Sequence, residues 1–435
     1  MERMKLYPSY KASYLPDMGS IPAHWGEQRM KHSFVEVDER SITGDEEMLS
    51  VSHITGVTPR SQKNVNMFVA ETNIGQKLCR PGYIAINTMW AWMAAMGVSE
   101  YEGIVSPSYG VYKPINETYN PNYLDYLLRT EVYQAEYNRR STGVNSSRLR
   151  LYPDRFLDMR FVCPLRNEQD QIVRFLDWKV SQINRIINAK KKQIALLQEH
   201  KRAVVNEAVM RDAWSTRRLK TFLTESKDTV GDKSAEFDLL SLTKGGVIIR
   251  DVSTGKGKFP SDFGTYKVVR AGQIIFCLFD VDETPRTVGL SKNDGMITGA
   301  YDVFSISDIE PKFLEYYFIA IDDVKGLKPL YSGLRKVVNI DKFLQIQVPI
   351  PPITEQQSIV VQLDSQCVGV NKLIEKINTQ IALLHEYRTR LISDVVTGKM
   401  DVRGVEVPQY EEMTEFTEDI EESDEDVEKT EEDSC

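Results

Sequence analysis

The feature that most constrains the fold of this chain is a long segment that occurs twice. Residues 168–209 align without a gap on residues 355–396, which lie 187 positions later (355 minus 168). Matching positions include Ile172 with Ile359, Asp177 with Asp364, and 194–197 with 381–384. A match of this length indicates a tandem duplication, so we expect the two copies to adopt the same structure.

Both copies predict one long helix. Apolar residues recur every three or four positions along each copy, and neither copy contains proline. The first copy starts shortly after Pro164 and the second after Pro351-Pro352, while Thr397-Gly398 is a stop signal for the second. At 1.5 Å per residue, each helix would be roughly 60 Å long.

A single long helix with one apolar stripe would expose that stripe to water, so we expect the two helices to pack antiparallel as a coiled coil. The charged residues Lys190, Lys201 and Arg388 interrupt the stripes, and we interpret them as register devices or side chains that extend out of the seam. The residues predicted to pack between the helices are Ile183, Ile187, Ile194, Leu197, Val370, Ile374, Ile381 and Leu384.

The repeat extends upstream of the helices into two globular parts, which we call head one and head two. Trp25 matches Trp214, and residues 80–84 match 270–274. Short β-rich runs and a short helix in each head predict an α+β fold, made of two tandem α/β domains with a pair of long helices and pseudo-two-fold symmetry. The predicted boundaries are 1–165 for head one, 166–212 for the first helix, 213–353 for head two, 354–400 for the second helix and 401–435 for a tail.

Composition and cysteine usage indicate a cytoplasmic protein. The five cysteines are scattered, odd in number and never in C-x-x-C spacing, which favours a reducing compartment and argues against disulfide or zinc frameworks. The N-terminus lacks an apolar signal region, and no run of eighteen apolar residues predicts a membrane span.

The net charge of −9 is dominated by the C-terminus. From Glu411 to the end, fourteen acidic residues stand against one lysine, which leaves residues 1–410 with a charge of about +4. Low hydrophobicity and high charge predict a disordered tail. Most such tails only increase solubility, and competition with DNA for a basic surface is the alternative interpretation.

Two heads joined by a rigid helix pair suit the recognition of two segments of a polymer. A spacer of constant length converts directly into a number of base pairs, so DNA is the natural candidate. The loops of both heads are long and rich in Gly, Ser, Asn and basic residues, and binding residues usually lie on such loops.

The chain also resembles the specificity subunits of type I restriction-modification systems. The residues that carry this resemblance are Ile21-Pro22 with Trp25, Cys163-Pro164 followed by Glu168-Gln169, the segment 349–356, the Leu-Leu-x-Glu segments at 196–199 and 383–386, and 396–399. These motifs extend over about residues 15–400, and they follow one another in the same order as in that family. The resemblance implies that each head is a target recognition domain for one half of a split DNA sequence, and that the helices dock partner subunits.

The loop residues support DNA contact independently, because polar side chains flanked by Arg or Lys suit phosphate and base-edge hydrogen bonds. An ordinary solvated loop is the better interpretation for any one residue, so the prediction concerns the loops collectively. The candidates are Arg60, Lys63, Arg139, Arg140, Ser141, Asn145 and Arg148 in head one, and Lys244, Arg250, Lys256, Lys258, Arg286, Ser332, Arg335 and Lys336 in head two. Trp90 and Trp92 could form an aromatic edge near DNA, but packing in the core is the favoured interpretation.

No catalytic site is predicted. The segment 106–109 has the outline of the amino-methyltransferase motif, but Ser108 replaces its second proline and no Gly-rich loop precedes it. The chain has no phosphate-binding loop for ATP, and the spacing of its five histidines does not predict a metal site. We therefore expect a non-catalytic chain that binds no metal and no cofactor itself.

The resemblance implies the partners and the chemistry that they supply. The expected partners are double-stranded DNA, two methyltransferase subunits that use S-adenosylmethionine, and restriction-translocase subunits that use ATP and Mg, with no membrane partner. Two alternatives remain, namely a targeting subunit of a complex that only methylates DNA, and a coiled-coil scaffold that does not bind DNA.

Overall fold

A computed structural model describes residues 5–62, 72–143, 149–211, 213–250, 263–332 and 336–415 of this chain. The chain divides into two compact units. Unit one comprises residues 1–190 and 379–435, and unit two comprises residues 191–378. The division cuts both long helices, so each unit contains one head and part of each helix.

Within its described residues, head one combines short antiparallel strands with three α-helices. The strands are β1 (Tyr10–Ala12), β2 (Ser20–Pro22), β3 (Gly26–Arg29), β4 (Phe34–Glu36), β5 (Leu49–Ser52), β6 (Gly56–Pro59), β7 (Lys77–Cys79), β8 (Ile84–Ile86), β9 (Met96–Val98), β10 (Gly103–Val105), β11 (Gly110–Pro114) and β12 (Arg160–Cys163). The helices are α1 (Pro121–Leu128), α2 (Glu131–Arg140) and α3 (Pro153–Leu157).

The first long helix, α4 (Arg166–Val209), leads into head two. The strands of head two are β13 (Thr216–Arg218), β14 (Leu223–Ser226), β15 (Leu240–Thr243), β16 (Gly246–Ile249), β17 (Lys267–Val269), β18 (Ile274–Phe276), β19 (Val288–Leu290), β20 (Gly295–Ile297), β21 (Asp302–Ile306), β22 (Tyr331–Ser332), β23 (Val337–Val338) and β24 (Gln347–Pro349). Its helices are α5 (Pro311–Asp323) and α6 (Ile340–Leu344), and the second long helix, α7 (Ile353–Val396), follows.

The two heads share one topology. The central sheet is antiparallel in both, with the strand order β4-β11-β8-β9 in head one and β14-β21-β18-β19 in head two. Three two-stranded pairs also recur, namely β5–β6 with β15–β16, β7–β10 with β17–β20, and β3–β12 with β13–β24. The predicted α+β fold with two tandem copies is therefore confirmed.

Aromatic side chains fill the core of each head. In head one, Tyr133 stacks on Phe161 with ring centroids 4.5 Å apart. In head two, Phe276 packs edge-on against Phe318 and Phe343, each at 4.8 Å between centroids. Such pairs stabilise a core beyond the area that they bury, by about 0.5–1.5 kcal/mol each.

The two long helices pack antiparallel, as predicted. In unit one, the Lys190 ammonium donates to Gln380 Oε1 at 2.6 Å and Arg388 donates to Asn184 Oδ1 at 2.7 Å. In unit two, the Lys201 ammonium donates to Asn371 Oδ1 at 3.0 Å. The three charged residues that interrupt the apolar stripes therefore form polar contacts from one helix to the other, which favours the interpretation of register devices.

The residues predicted to pack between the helices are not buried equally. Ile183 and Ile187 are buried in the core of unit one, and Ile381 and Leu384 are half-buried against the same core. In unit two, Ile194, Leu197, Val370 and Ile374 are half-buried. None of the helices in the described ranges is long and apolar enough to cross a lipid bilayer.

The segment after α7 differs from the predicted disordered tail. Residues 401–415 form an ordered part of unit one. The Asp401 backbone makes an antiparallel β-bridge with Lys5, and the Gln171 side-chain amide donates to the carbonyls of Val402 and Val405. Val402 is fully buried in the core of unit one. The prediction of disorder was wrong for 401–415. It rested on the acidic composition of the C-terminus and did not consider Val402, Val405 and Val407, which pack into the core of unit one. Residues 416–435 lie outside the described ranges.

Candidate nucleic-acid interface

The heads are joined to the helices by a pair of equivalent glutamines. In unit one, Gln169 is fully buried, accepts from the Asn120 backbone N–H at 2.7 Å and donates to the carbonyls of Thr118 and Pro164. Its repeat partner in unit two makes equivalent contacts, because Gln356 accepts from Glu310 N–H and donates to the Pro351 carbonyl. Since Asn120 and Glu310 precede α1 and α5, each glutamine ties the start of a head helix to the start of a long helix.

A tyrosine-to-aspartate contact adds a second tie in each unit. The Tyr126 hydroxyl donates to Asp177 at 2.8 Å in unit one, and the Tyr316 hydroxyl donates to Asp364 at 2.6 Å in unit two. Lys312 adds an ion pair to Asp364 at 2.6 Å. The tyrosines and the aspartates occupy matched positions of the repeat. The same hydrogen bond therefore orients each head on its long helix in both units.

The resemblance motifs around Trp25 and Glu168 meet in unit one. The buried Glu168 carboxylate accepts hydrogen bonds from the Trp25 indole N–H at 3.0 Å and from the Tyr7 hydroxyl at 2.8 Å, and contacts His24 Nε2 at 2.8 Å. Burial and the neighbouring Glu168 raise the pKa of Tyr7 well above its usual range, so this hydroxyl stays a donor. The motif therefore closes the N-terminal segment onto the start of α4.

The helix stop signal after α7, Thr397-Gly398, packs against Pro22 and Trp25. Gly398 has a left-handed φ of 79°, and a Cβ at this position would overlap the Pro22 ring. Glycine is needed here both for the backbone conformation and for the close approach. The Ile21-Pro22, Trp25, Glu168 and 396–399 motifs are thus one structural joint in unit one.

In each head, a polar candidate loop is bounded by paired backbone. In head one, Thr142 and Arg150 exchange two hydrogen bonds of 3.0 Å on either side of residues 143–149. In head two, β22 and β23 pair on either side of residues 333–336. The backbone that flanks each of these two segments is therefore held by its head, while residues 144–148 and 333–335 lie outside the described ranges.

The basic residues at the base of the head-one loop are engaged by carboxylates. Arg139 contacts Asp17 at 2.5 Å and Glu136 at 2.7 Å, and Arg140 contacts Glu136 at 2.5 Å. Burial favours protonation of Glu136, but hydrogen bonds from Arg140 and Arg139 outweigh it and hold the pKa of Glu136 below its ordinary value. These guanidinium groups stabilise α2 and the neighbouring N-terminal segment.

This lowered pKa predicts a pH dependence of stability. A carboxyl whose folded pKa lies below its unfolded value stabilises the fold above the unfolded pKa, here about 4.5, and that stabilisation is lost as pH falls through the folded pKa. We expect Glu136→Gln to lower the free energy of unfolding of head one at pH 7. We also expect this free energy to fall less steeply in the variant than in the native chain between about pH 5 and 3. Unfolding measured across this pH range checks it, and parallel pH profiles for both proteins would contradict it.

Two candidates in head two are also engaged within the head. The Arg286 guanidinium pairs with Asp322 and Asp323, both at 3.2 Å, and the Asp322 side chain is buried. Lys336 pairs with Glu283 and approaches Asp282 at 3.9 Å. A hydrogen bond from Tyr331, assisted by lysines, lowers the pKa of Asp282 to about 2, so this carboxylate stays charged at neutral pH.

Lys244 is placed differently from Arg286. It lies in the turn between β15 and β16, and its side chain is exposed. Together with Arg286 and residues of α4, α5 and α7, it lines a cleft of about 940 Å³ in unit two. Because the Lys244 side chain is exposed, its ammonium is accessible to a ligand.

We expect Arg286→Ala to destabilise head two by about 2–4 kcal/mol, because Asp322 would remain buried without its full set of cations. Lys244→Ala should change the free energy of unfolding by less than about 0.5 kcal/mol. Thermal unfolding of the two variants checks this, and equal stability would show that Arg286 has no structural role.

The remaining candidates are spread over the two heads. Arg60 starts a short helical turn after β6 and is half-buried, Ser141 follows α2 and is buried, Arg250 follows β16, and Ser332 ends β22. Lys63, Asn145, Arg148, Lys256, Lys258 and Arg335 lie outside the described residues. The structure thus brings Arg139, Arg140 and Ser141 together at the base of one loop, and Ser332 and Lys336 together at the other.

The contact of Arg150 with Met89, beside the head-one loop, was not predicted from the sequence. The Arg150 guanidinium is exposed and contacts the Met89 sulfur at 3.9 Å, and the Trp92 indole donates to the Met89 carbonyl. Trp90 and Trp92, expected in the core, are half-buried. Because 61 positions separate Met89 from Arg150, only folding reveals that this aromatic segment and the basic side chain are neighbours.

No group of three or more His, Cys, Asp or Glu side chains within the described ranges is arranged to hold a metal ion.

Comparisons with known proteins agree with this arrangement. Residues 288–383 match the family described as the type I restriction modification DNA specificity domain. No curated protein sequence matches the chain.

Among solved structures, the chain is similar to one described as the structural basis underlying complex assembly and conformational transition of the type I R-M system. The identity is 13%, the match covers 86% of this chain and 98% of that chain, and the TM-score is 0.63. It also matches the HsdS subunit from Thermoanaerobacter tengcongensis, with 14% identity, coverage of 87% and 98%, and a TM-score of 0.45. The family match over residues 288–383 confirms the resemblance to type I specificity subunits that was drawn from the sequence.

Proposed function

We propose that this chain, which carries a type I restriction-modification DNA specificity domain over residues 288–383, is the sequence-recognition subunit of such a complex. Each head would read one half of a split DNA target through its loops. The observation that carries the proposal is the duplicated head, with the same sheet and the same joint to a long helix in both copies. Two equal binding domains on paired helices suit a target of two short parts around a constant gap.

The proposed division of labour follows from the domains. Residues 1–165 and 213–353 would be the target recognition domains, and the helices over 166–212 and 354–400 would set the gap and dock the partners. These partners would be two methyltransferase subunits, which supply S-adenosylmethionine chemistry, and restriction-translocase subunits, which supply ATP- and Mg-dependent chemistry. The chain itself would be non-catalytic and cytoplasmic.

The DNA-contacting residues are proposed at two levels. The loops at 143–149 and 333–336, Lys244 and the exposed Arg150 are the stronger candidates, because carboxylates of the same head engage Arg139, Arg140 and Arg286. Those loops contribute Asn145, Arg148 and Arg335, whereas Lys336 is paired with Glu283 and is a weaker candidate. Arg60, Lys63, Arg250, Lys256, Lys258 and Ser332 complete the proposed set. If phosphate contacts dominate, affinity should fall steeply with salt.

The experiment that tests this function is a map of adenine methylation across the genome of the source strain, with and without this chain. We expect loss of methylation at one split motif when the chain is absent. An unchanged map, in a strain where the chain is expressed and copurifies with a methyltransferase, would overturn the proposal. A complex that methylates but never cleaves DNA would favour a targeting subunit without restriction activity.

A further inference from the structure

The C-terminal segment is held on α4 by side chains that recognise its backbone. Ser181 Oγ donates to the Glu411 carbonyl and accepts from the Met413 N–H, both at 2.9 Å. The side-chain amides of Asn184 and Asn188 donate to the carbonyls of Met413 and Thr414, each at 2.9 Å. We call these three α4 side chains the backbone-binding face.

The backbone-binding face is specific to one copy of the repeat. Its three side chains are buried in unit one, with 4–6% exposure. The matching positions on α7, 187 residues later, are Val368, Asn371 and Glu375, and all three are exposed. The duplicated helices have therefore diverged here, and only α4 has the spacing of polar groups that follows an extended backbone.

Basic side chains lie beside two glutamates of the segment. The Glu415 carboxylate accepts from Arg388 at 2.7 Å and lies 3.4 Å from His385. Glu411 lies 3.8 Å from Arg185. Cations at both ends of the backbone-binding face thus match two carboxylates four residues apart.

The bound segment has an apolar anchor and a polar remainder. Val405 and Val407 pack against the core of unit one. After Pro408, the residues are held chiefly by hydrogen bonds and ion pairs, and the Glu411 side chain is 91% exposed. Since water can replace such polar contacts, residues 408–415 can detach while the anchor stays in place.

We propose that the backbone-binding face, with Arg185 and Arg388, is a docking groove for an extended acidic peptide, and that residues 408–415 occupy it as a removable ligand. An external partner would be a protein that presents an extended segment with two carboxylates four residues apart. The chain's own segment blocks that partner until it is released. The docking groove would act independently of DNA recognition.

The test uses a fluorescent peptide with the sequence of residues 408–415 and three forms of the full chain. The native chain should bind it weakly, because the tethered segment competes at high effective concentration. Met413→Pro removes the N–H that donates to Ser181, so that chain should bind the peptide about tenfold tighter or more. Adding Asn184→Leu and Asn188→Leu to Met413→Pro should abolish this binding. Equal affinity of the native and Met413→Pro chains would overturn the proposal.

A charge exchange distinguishes a lost groove from a lost fold. In the Met413→Pro background, Arg388→Glu should weaken binding of the native peptide, because it places two carboxylates together. A peptide carrying Glu415→Arg should bind this variant better than the native peptide does. Failure of that rescue, in a chain that remains folded, would show that the peptide does not use this groove.

Discussion

Replacing Glu168 with alanine is expected to destabilise unit one by about 3–5 kcal/mol. The carboxylate is 5% exposed and accepts from two buried donors, the Trp25 indole and the Tyr7 hydroxyl. Glu168→Ala leaves both donors without this acceptor, away from water. Urea unfolding combined with hydrogen exchange, which resolves the two units, measures the change.

The repeat provides the matched control for this prediction. Glu355 occupies the same position in the second copy, but its side chain is 40% exposed and lies 4.0 Å from Arg211. Glu355→Ala should therefore cost less than about 1 kcal/mol. Equal losses for the two variants would mean that the buried hydrogen bonds of Glu168 contribute nothing specific.

Replacing the junction glutamine in unit one is expected to cost about 2–4 kcal/mol and to loosen the head. Gln169→Leu keeps the approximate volume but leaves Asn120 N–H and two backbone carbonyls without their partner. Protection of the α1 start against hydrogen exchange should fall most. In the assembled complex, we expect methylation to extend to sites with an altered gap, because head one is less rigidly oriented.

Gln193 is the control on the same helix. It is exposed, so Gln193→Leu should leave both stability and protection close to those of the native chain. Gln356→Leu should reproduce the loss in unit two, since Gln356 makes the equivalent contacts. A loss in only one unit would contradict the equivalence of the two joints.

Much of the fold could be predicted because the duplication is visible in sequence. The repeat of 168–209 at 355–396 predicted both long helices, and the structure places them at Arg166–Val209 and Ile353–Val396. The pairing of the two helices followed from the need to cover an apolar stripe. The partners of Lys190, Lys201 and Arg388 could not be predicted, because they depend on the register of the pair.

The candidate interface was harder to predict because the sequence shows which residues are basic but not which carboxylates they pair with in the folded chain. Arg139 and Arg286 look like phosphate ligands in polar loops, yet each is paired with carboxylates of its own head. Arg150 became a candidate only when the structure placed it beside Met89. The ordered segment at 401–415 escaped prediction because the α4 residues that bind its last part lie more than two hundred positions upstream.

The central claim, that the two heads read separate halves of one DNA target, is tested most directly by exchanging a single head. Residues 1–165 would be replaced by the corresponding domain of a specificity subunit with a different target, and adenine methylation would be mapped with the native partners present. We predict that one half of the split motif changes while the other half and the gap stay the same. A folded, assembled chimera that changes both halves, or neither half, would contradict the claim.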